Sequence, residues 1–215
     1  MSSKVIFITG GSRSGKSSFA LQLARGFNTT VLFVATAEAK DEEMAERIAT
    51  HKKGRPKNWR TLEASMNVGM RIEKEAGDAE VVVIDCLTLL VSNLLVRRGE
   101  EEPDARRSSV DVNRELNRLL RCFDRLEATF IIVSNEVGLG LVPPYPLGRV
   151  YRDLLGEVNQ AIASQADEVY FMVSGIPLRL KQNPESRIQN PEDVKARQRL
   201  SREGGNPRGR GAPDV

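Results

Sequence analysis

Histidine is all but missing from this sequence: His51 is the single one among 215 residues. A metal centre built from several imidazoles is thereby excluded. Cysteine is nearly as scarce. Cys86 and Cys122 are too far apart in the chain for a compact metal motif and read as two reduced thiols, the usual state in the cytosol. Aromatic residues make up only 5% of the chain, which favours an aliphatic α/β core over an aromatic-rich β-sandwich. No run approaches the roughly 18 apolar residues that a membrane span requires. The start, MSSKVIFITGG, holds neither a long apolar region nor a cleavage site. A cytoplasmic protein with no membrane span is expected. An excess of one charge is lacking too. Lys and Arg number 32 against 29 Asp and Glu, a net +3. Nucleic-acid binding needs a concentrated basic face; none is visible, and no nucleic-acid partner is expected.

What the chain does have is alternation. Residues 4–9, 31–35, 79–86, 129–135 and 168–175 are short apolar runs that read as strands, with 177–181 as a final edge strand. Between them, helical patterns follow the first strand and cover 41–50, 65–76, 87–96, 110–125 and 150–166. In the second of these, Met44 and Ile48 are spaced i,i+4. Residues 97–109 read as a polar loop, and the stretch VGLGLVPPYPLG as a long one. Strands alternating with helices predict a mostly parallel sheet covered on both faces. From residue 182 on, four Pro, four Gly, seven Lys or Arg and five acidic residues leave little to bury. One domain over 1–181 and a polar, flexible tail over 182–215 are expected.

The first strand runs straight into GGSRSGKS, which fits G-x-x-x-x-G-K-[ST] in full. Its residues are Gly10, Gly11, Ser12, Arg13, Ser14, Gly15, Lys16 and Ser17. Glycines let the backbone curl so that N–H groups point at phosphate oxygens, and the helix that follows presents its positive end to the anion. In such a loop Lys16 reaches the β/γ-phosphates and Ser17 holds Mg²⁺. Asp85, closing the most hydrophobic strand, is the natural carboxylate for the metal or the nucleotide. Asn135 and Glu136 end the next strand, where open sheets bind ligands, and Glu136 is a candidate general base or metal partner. The fold expected is therefore α/β, a P-loop NTPase-like open, mostly parallel sheet.

His51 lies in RIATHKKGRPKNW, with Lys52, Lys53, Arg55 and Arg60 close by. Beside a P-loop, such a cluster reads as a second set of phosphate contacts. A neutral imidazole there can attack an α-phosphate while the cations offset the growing charge. They also disfavour the imidazolium, keeping the ring nucleophilic. A solvated histidine at a basic helix end is the other reading, and the residues alone leave both open.

The strings FITGGSRSGKSSFA, VLFVATA, DEEMAERIATHKKGRPKNWRTLE, DCLTLLVSNLL, SNEVGLGLVPPYPLGRVYRDLLGEVNQ and ADEVYFMVSG resemble, in order, the bifunctional adenosylcobinamide kinase / adenosylcobinamide-phosphate guanylyltransferase family of cobalamin biosynthesis. The resemblance covers about residues 4–181. It implies that the aminopropanol hydroxyl of adenosylcobinamide is phosphorylated with ATP or GTP. It also implies that His51 is guanylylated by GTP and passes GMP to adenosylcobinamide phosphate, pyrophosphate having left first. The nucleotide contacts it implies are the P-loop, Ala35, Thr36, Ala37, Lys52, Lys53, Gly54, Arg55, Glu63 and Asp85, with Mg²⁺ as cofactor and a homotrimer as the assembly. Two departures stand out. Thr50 precedes His51 where enteric members have a second histidine, and Asp85 is one methylene shorter than the glutamate of some members. A kinase of another small alcohol, with His51 only a phosphate contact, is the alternative; a nucleotide-dependent regulator is a third.

Overall fold

The structure is a computed structural model and describes residues 3–39, 42–96 and 105–182. Its elements run β1 (Lys4–Gly10), α1 (Lys16–Gly26), β2 (Val31–Ala35), α2 (Glu42–Lys53), β3 (Arg60–Glu63), α3 (Val68–Glu75), β4 (Val81–Asp85), α4 (Leu87–Val96), α5 (Ala105–Arg125), β5 (Thr129–Val133), α6 (Pro146–Gln165), β6 (Glu168–Val173) and β7 (Ile176–Gln182). The sheet has the order β3-β2-β4-β5-β1-β6-β7. All pairings from β3 across to β6 are parallel, with Phe7 opposite Ile132 and Val83 opposite Ile131. Only β7 runs the other way. Ser174 and Gly175 alone connect it to β6, too short a link for a parallel crossover. Both have positive φ, 49° and 85°, the twist that a two-residue hairpin favours.

Strand side chains alternate between faces, and the strands are apolar on both. Val5, Phe7, Leu32, Val34, Val82, Ile84, Phe130 and Ile132 point into one core shared with α3, α4, α5 and α6. Their neighbours Ile6, Ile8, Val31, Phe33, Val81, Val83, Ile131 and Val133 pack with Ala20 and Ala24 of α1. Burying each large aliphatic side chain contributes about 1.5–3 kcal/mol. The expected α/β sheet with helices on both faces is thus what forms. Among the described residues, no helix is long and apolar enough to cross a membrane.

Several boundaries differ from the sequence reading. α5 starts at Ala105 rather than 110, because its buried stripe includes Ser108, continues through Val112, Glu115 and Leu119, and ends on Cys122 and Phe123. A hydropathy pattern does not count Ser108 or Glu115. α6 starts at Pro146, the first-turn position where proline's missing N–H costs nothing. α2 continues past Thr50 to Lys53. β3 was not expected, since Leu62 is its one buried residue. The loop expected at 97–109 falls, over 97–104, outside the described residues, as does the tail expected from 182 on, apart from Gln182.

Glu115 explains its own burial. Asn67, at the N-terminus of α3, has φ 51° and no side-chain cap. Glu115 on α5 supplies one, accepting the Val68 N–H at 2.6 Å, while Arg118 donates to Asn67 Oδ1 at 2.7 Å. Burial pushes the Glu115 carboxyl upward, against the N–H bonds that pull it down. Glu115→Ala orphans a helix-end N–H and is expected to lose about 1–3 kcal/mol in urea unfolding. Gln retains the acceptor and should recover most of the loss. Equal midpoints for wild type and the alanine variant would refute the cap.

Candidate active site

Five parallel strands end on one cavity of about 800 Å³. The loop after β1 and the first turn of α1 contribute residues 12–18, β2 ends on Ala35, β3 on Glu63, β4 on Asp85, and β5 leads through Val133 to Asn135. This is the carboxyl edge, where open α/β sheets bind ligands. Met44, Ile48 and Lys52, one helical turn apart on α2, form part of the lining with Arg55.

The glycines of the loop are set by close contact. Gly10 has φ 147°, and a Cβ there would lie 2.5 Å from the Met172 carbonyl oxygen. Gly15, at φ 96°, would place one 3.2 Å from Gly175 Cα. The Gly175 N–H donates to the Ser14 carbonyl at 2.9 Å, and the Glu136 N–H to that of Gly10 at 2.9 Å. The loop is therefore braced by the β6–β7 hairpin on one side and the end of β5 on the other. Lys16 is buried, its Nζ donating to the Gly11 carbonyl at 2.5 Å and reaching Ser14 Oγ at 3.4 Å. Burial lowers its pKa, with Cys86 and Asp85 acting in the opposite direction.

The far wall is held by Thr36. Its hydroxyl donates to the Cys86 carbonyl at 2.7 Å and accepts the Cys86 N–H at 2.8 Å. Asn93 Nδ2 in turn donates to the Thr36 carbonyl at 2.9 Å. These bonds fix the backbone that carries Asp85 toward the cavity. Burial and the Asp85 charge push the Cys86 thiol up to about 11, so it is no thiolate nucleophile near neutral pH.

At the end of α2, Arg55 Cζ stands 3.8 Å from the centroid of the Phe33 ring, a cation–π contact. Its Nε and Nη1 are buried with no hydrogen-bond partner among the described residues. Buried guanidinium donors are normally satisfied, so these two fit an anionic ligand in the cavity. Burial lowers the Arg55 pKa, opposed by Asp85 and Glu63. Lys52 pairs with Glu63 at 2.5 Å, and that hydrogen bond holds the Glu63 carboxyl below its usual range.

A family model described as "Cobinamide kinase / cobinamide phosphate guanyltransferase" matches residues 6–180. The chain belongs to this family. It is accordingly a bifunctional kinase and guanylyltransferase, with nucleoside triphosphates among its substrates at the level of the family. The chain is 40% identical over 181 residues to the bifunctional adenosylcobalamin biosynthesis protein CobU of Escherichia coli (strain K12), covering 82% of this chain and 99% of that one. The CobU of Salmonella typhimurium gives the same identity and coverage. The bifunctional adenosylcobalamin biosynthesis protein CobP of Pseudomonas aeruginosa is 41% identical over 177 residues, 82% of this chain and 97% of its own.

Of the residues singled out in the sequence, Ser12, Arg13, Ser14, Gly15, Lys16, Ser17, Ala35, Ala37, Lys52, Arg55, Glu63 and Asp85 come together on the cavity of this family member, with Asn135. Gly10 and Gly11 shape the loop behind it. Thr36 is 0% exposed and acts from behind the wall. Lys53 and Gly54 are exposed beyond the lining, where the Gly54 carbonyl accepts from Arg25 at 2.9 Å. His51 belongs to the last turn of α2. Glu136 is drawn elsewhere: its carboxylate accepts the Gly138 N–H at 2.5 Å and the Leu139 N–H at 3.3 Å. Thr88, Ser65 and Leu89 also line the cavity. Nothing in their spacing announced them, since they follow strands whose order only the fold sets.

Proposed function

We propose that this single cavity serves both reactions of the family, first phosphorylating adenosylcobinamide and then guanylylating the product through His51. The observation that carries the reading is that the P-loop with Lys16 and the basic end of α2 with Lys52 and Arg55 line one cavity. In the kinase step the acceptor hydroxyl oxygen attacks the γ-phosphorus of ATP or GTP. The bridging bond to the β-phosphate breaks, the diphosphate leaves and the hydroxyl proton goes to solvent. Lys16 and the loop N–H groups hold the transferring charge. In the second reaction a neutral imidazole nitrogen of His51 attacks the α-phosphorus of GTP. The α–β bridging bond breaks, pyrophosphate leaves and a phosphoramidate remains. A phosphate oxygen of the acceptor then attacks that phosphorus, the P–N bond breaks and the imidazole is restored. Arg55, whose buried Nε and Nη1 have no partner among the described residues, and Lys52 neutralise the α-phosphate during both displacements.

The Ser17 hydroxyl and the Asp85 carboxylate, lining the same cavity, fit Mg²⁺, which takes few protein ligands and the rest from phosphate and water. When bound, it supplies charge neutralisation at the phosphates. The test is direct. Incubation of the protein with radiolabelled GTP and Mg²⁺ is expected to give an acid-labile, alkali-stable adduct. Active protein without an adduct would sink the two-step route.

The homotrimer implied by the resemblance is proposed here as well. On edge strand β7, Ile176, Leu178 and Leu180 alternate onto one face and are all exposed, a surface that self-association would cover. Sedimentation equilibrium should give three times the chain mass, and Leu178→Asp should give monomers. A trimer unchanged by that substitution places the contact elsewhere.

A further inference from the structure

Two helices each direct a buried polar side chain at the same residue, Asn135. On α4, Thr88 is buried, and its Oγ1 accepts the Asn135 N–H at 2.7 Å. On α6, the buried residues other than Asn159 are aliphatic or glycine. Asn159 Nδ2 donates to the Asn135 carbonyl at 3.0 Å. A polar group set in an aliphatic stripe costs stability unless it is hydrogen-bonded, and here the two bonds converge on one residue. Its neighbours are held as well. The Ser134 N–H donates to the Ile8 carbonyl at 3.0 Å, and the Glu136 N–H to that of Gly10 at 2.9 Å. Residues 134–136 are thus tied to β1 and to two helices at once. Asn135 itself is half-buried and lines the cavity. With its N–H and carbonyl engaged, the group it has left for a ligand is the carboxamide. That side chain has no hydrogen-bond partner among the described residues.

The sheet order says where Asn135 stands. β5 lies between β1 and β4, and Val133 is opposite both Ile8 and Asp85. Asn135 therefore emerges between the strand that leads to Lys16 and the strand that ends on Asp85. In the kinase step Lys16 meets the β- and γ-phosphates, and Asp85 the metal that bridges them. The γ-phosphoryl group and its incoming nucleophile fall between the two. A carboxamide suits that place, since it carries two N–H donors and an acceptor oxygen. Nδ2 can hold a γ-phosphate oxygen while Oδ1 accepts the hydrogen of the incoming hydroxyl, aligning that oxygen with the γ-phosphorus. We propose that Asn135 is a catalytic residue of the kinase step, aligning the acceptor hydroxyl with the γ-phosphoryl group, and that Thr88 and Asn159 are its positioning residues. The hydroxyl oxygen bonds to the γ-phosphorus, the β–γ bridging bond breaks, the nucleoside diphosphate leaves and the proton goes to solvent. Asn135 stays a neutral amide throughout. The proposal rests on the kinase step running in this cavity. The histidine step has no acceptor hydroxyl to align and does not use Asn135.

The full chain is assayed for phosphorylation of adenosylcobinamide by ATP and, separately, for GTP-driven labelling of the protein. Asn135→Ala is expected to lower kcat of phosphorylation on the order of a hundred-fold, with both KM values within about three-fold of wild type. Labelling should stay within about three-fold, and the urea midpoint should not move. Asn135→Asp keeps an acceptor but loses the donor and repels the phosphate, so its kcat should be no higher than that of the alanine variant. Thr88→Val orphans the Asn135 N–H and should lower kcat about ten-fold, while Thr88→Ser restores it to within about two-fold. A kcat of Asn135→Ala within about three-fold of wild type overturns the proposal. So does a loss confined to the nucleotide KM, which would make Asn135 a ground-state contact, or an Asn135→Asp enzyme as fast as wild type. Undiminished phosphorylation by Lys16→Met would take the kinase out of this cavity, and the role of Asn135 with it. Wild-type protein that phosphorylates the acceptor but does not label with GTP would remove the histidine route alone, and the kcat of Asn135→Ala would still decide the proposal.

Discussion

His51→Ala is expected to abolish the guanylyl adduct and to lower transfer of GMP by at least about a thousand-fold, while phosphorylation of the acceptor continues within a few-fold of wild type. Removing the nucleophile from a covalent route costs far more than removing a contact, because no other group takes over the displacement. The chain has no second histidine to substitute, and burial pushes the thiol of Cys86, which lines the cavity, up to about 11. On the proposed mechanism the kinase reaction needs none of this, its nucleophile being the acceptor hydroxyl and its phosphate contacts those of the P-loop. Product analysis by mass after ATP and then GTP checks both halves. A variant that still makes the guanylylated product near the wild-type rate would reduce His51 to a phosphate contact.

Lys16→Met is expected to have the opposite signature, both activities falling together by on the order of a hundred-fold or more. Lys16 is the one cation of the loop sequence that is buried, and it donates to the Gly11 carbonyl. In a shared cavity its charge faces the phosphates of whichever nucleotide is bound. Methionine keeps the length and the apolar stem, so the fold and the sedimenting mass should be retained. Steady-state rates of both reactions, together with GTP labelling of the protein, provide the measurement. Normal labelling beside a dead kinase would mean two nucleotide sites.

The parts of this site that were legible in the sequence are those whose chemistry is local. The P-loop is contiguous, and strand, turn and helix follow one another in the order its mechanism needs. Asp85 was readable because VVVID is so apolar that its one charge must lie at a strand end. Thr36 was legible as a residue near the nucleotide but not as a clamp, because its partner Cys86 is adjacent only after β2 and β4 pair. Arg55 over Phe33 is a contact between a helix end and a strand face, and no periodicity connects the two. Glu136 was only partly legible, for the opposite reason. Its position at a strand end resembles Asp85, yet a glutamate followed by V-G-L can turn back on its own backbone, and here it does.

The bracing of the phosphate loop by the hairpin changes what the motif is. Written along the chain, GGSRSGKS is a word of eight letters. In space its shape is completed by the carbonyl of Met172 and by Gly175, one excluding any side chain at Gly10 and the other donating to Ser14. The two halves come from opposite ends of residues 3–182. The phosphate cradle is therefore not a portable part. Transplanted with only its own strand and helix, the loop would leave its second wall behind, and the spelling of the motif would survive without its form.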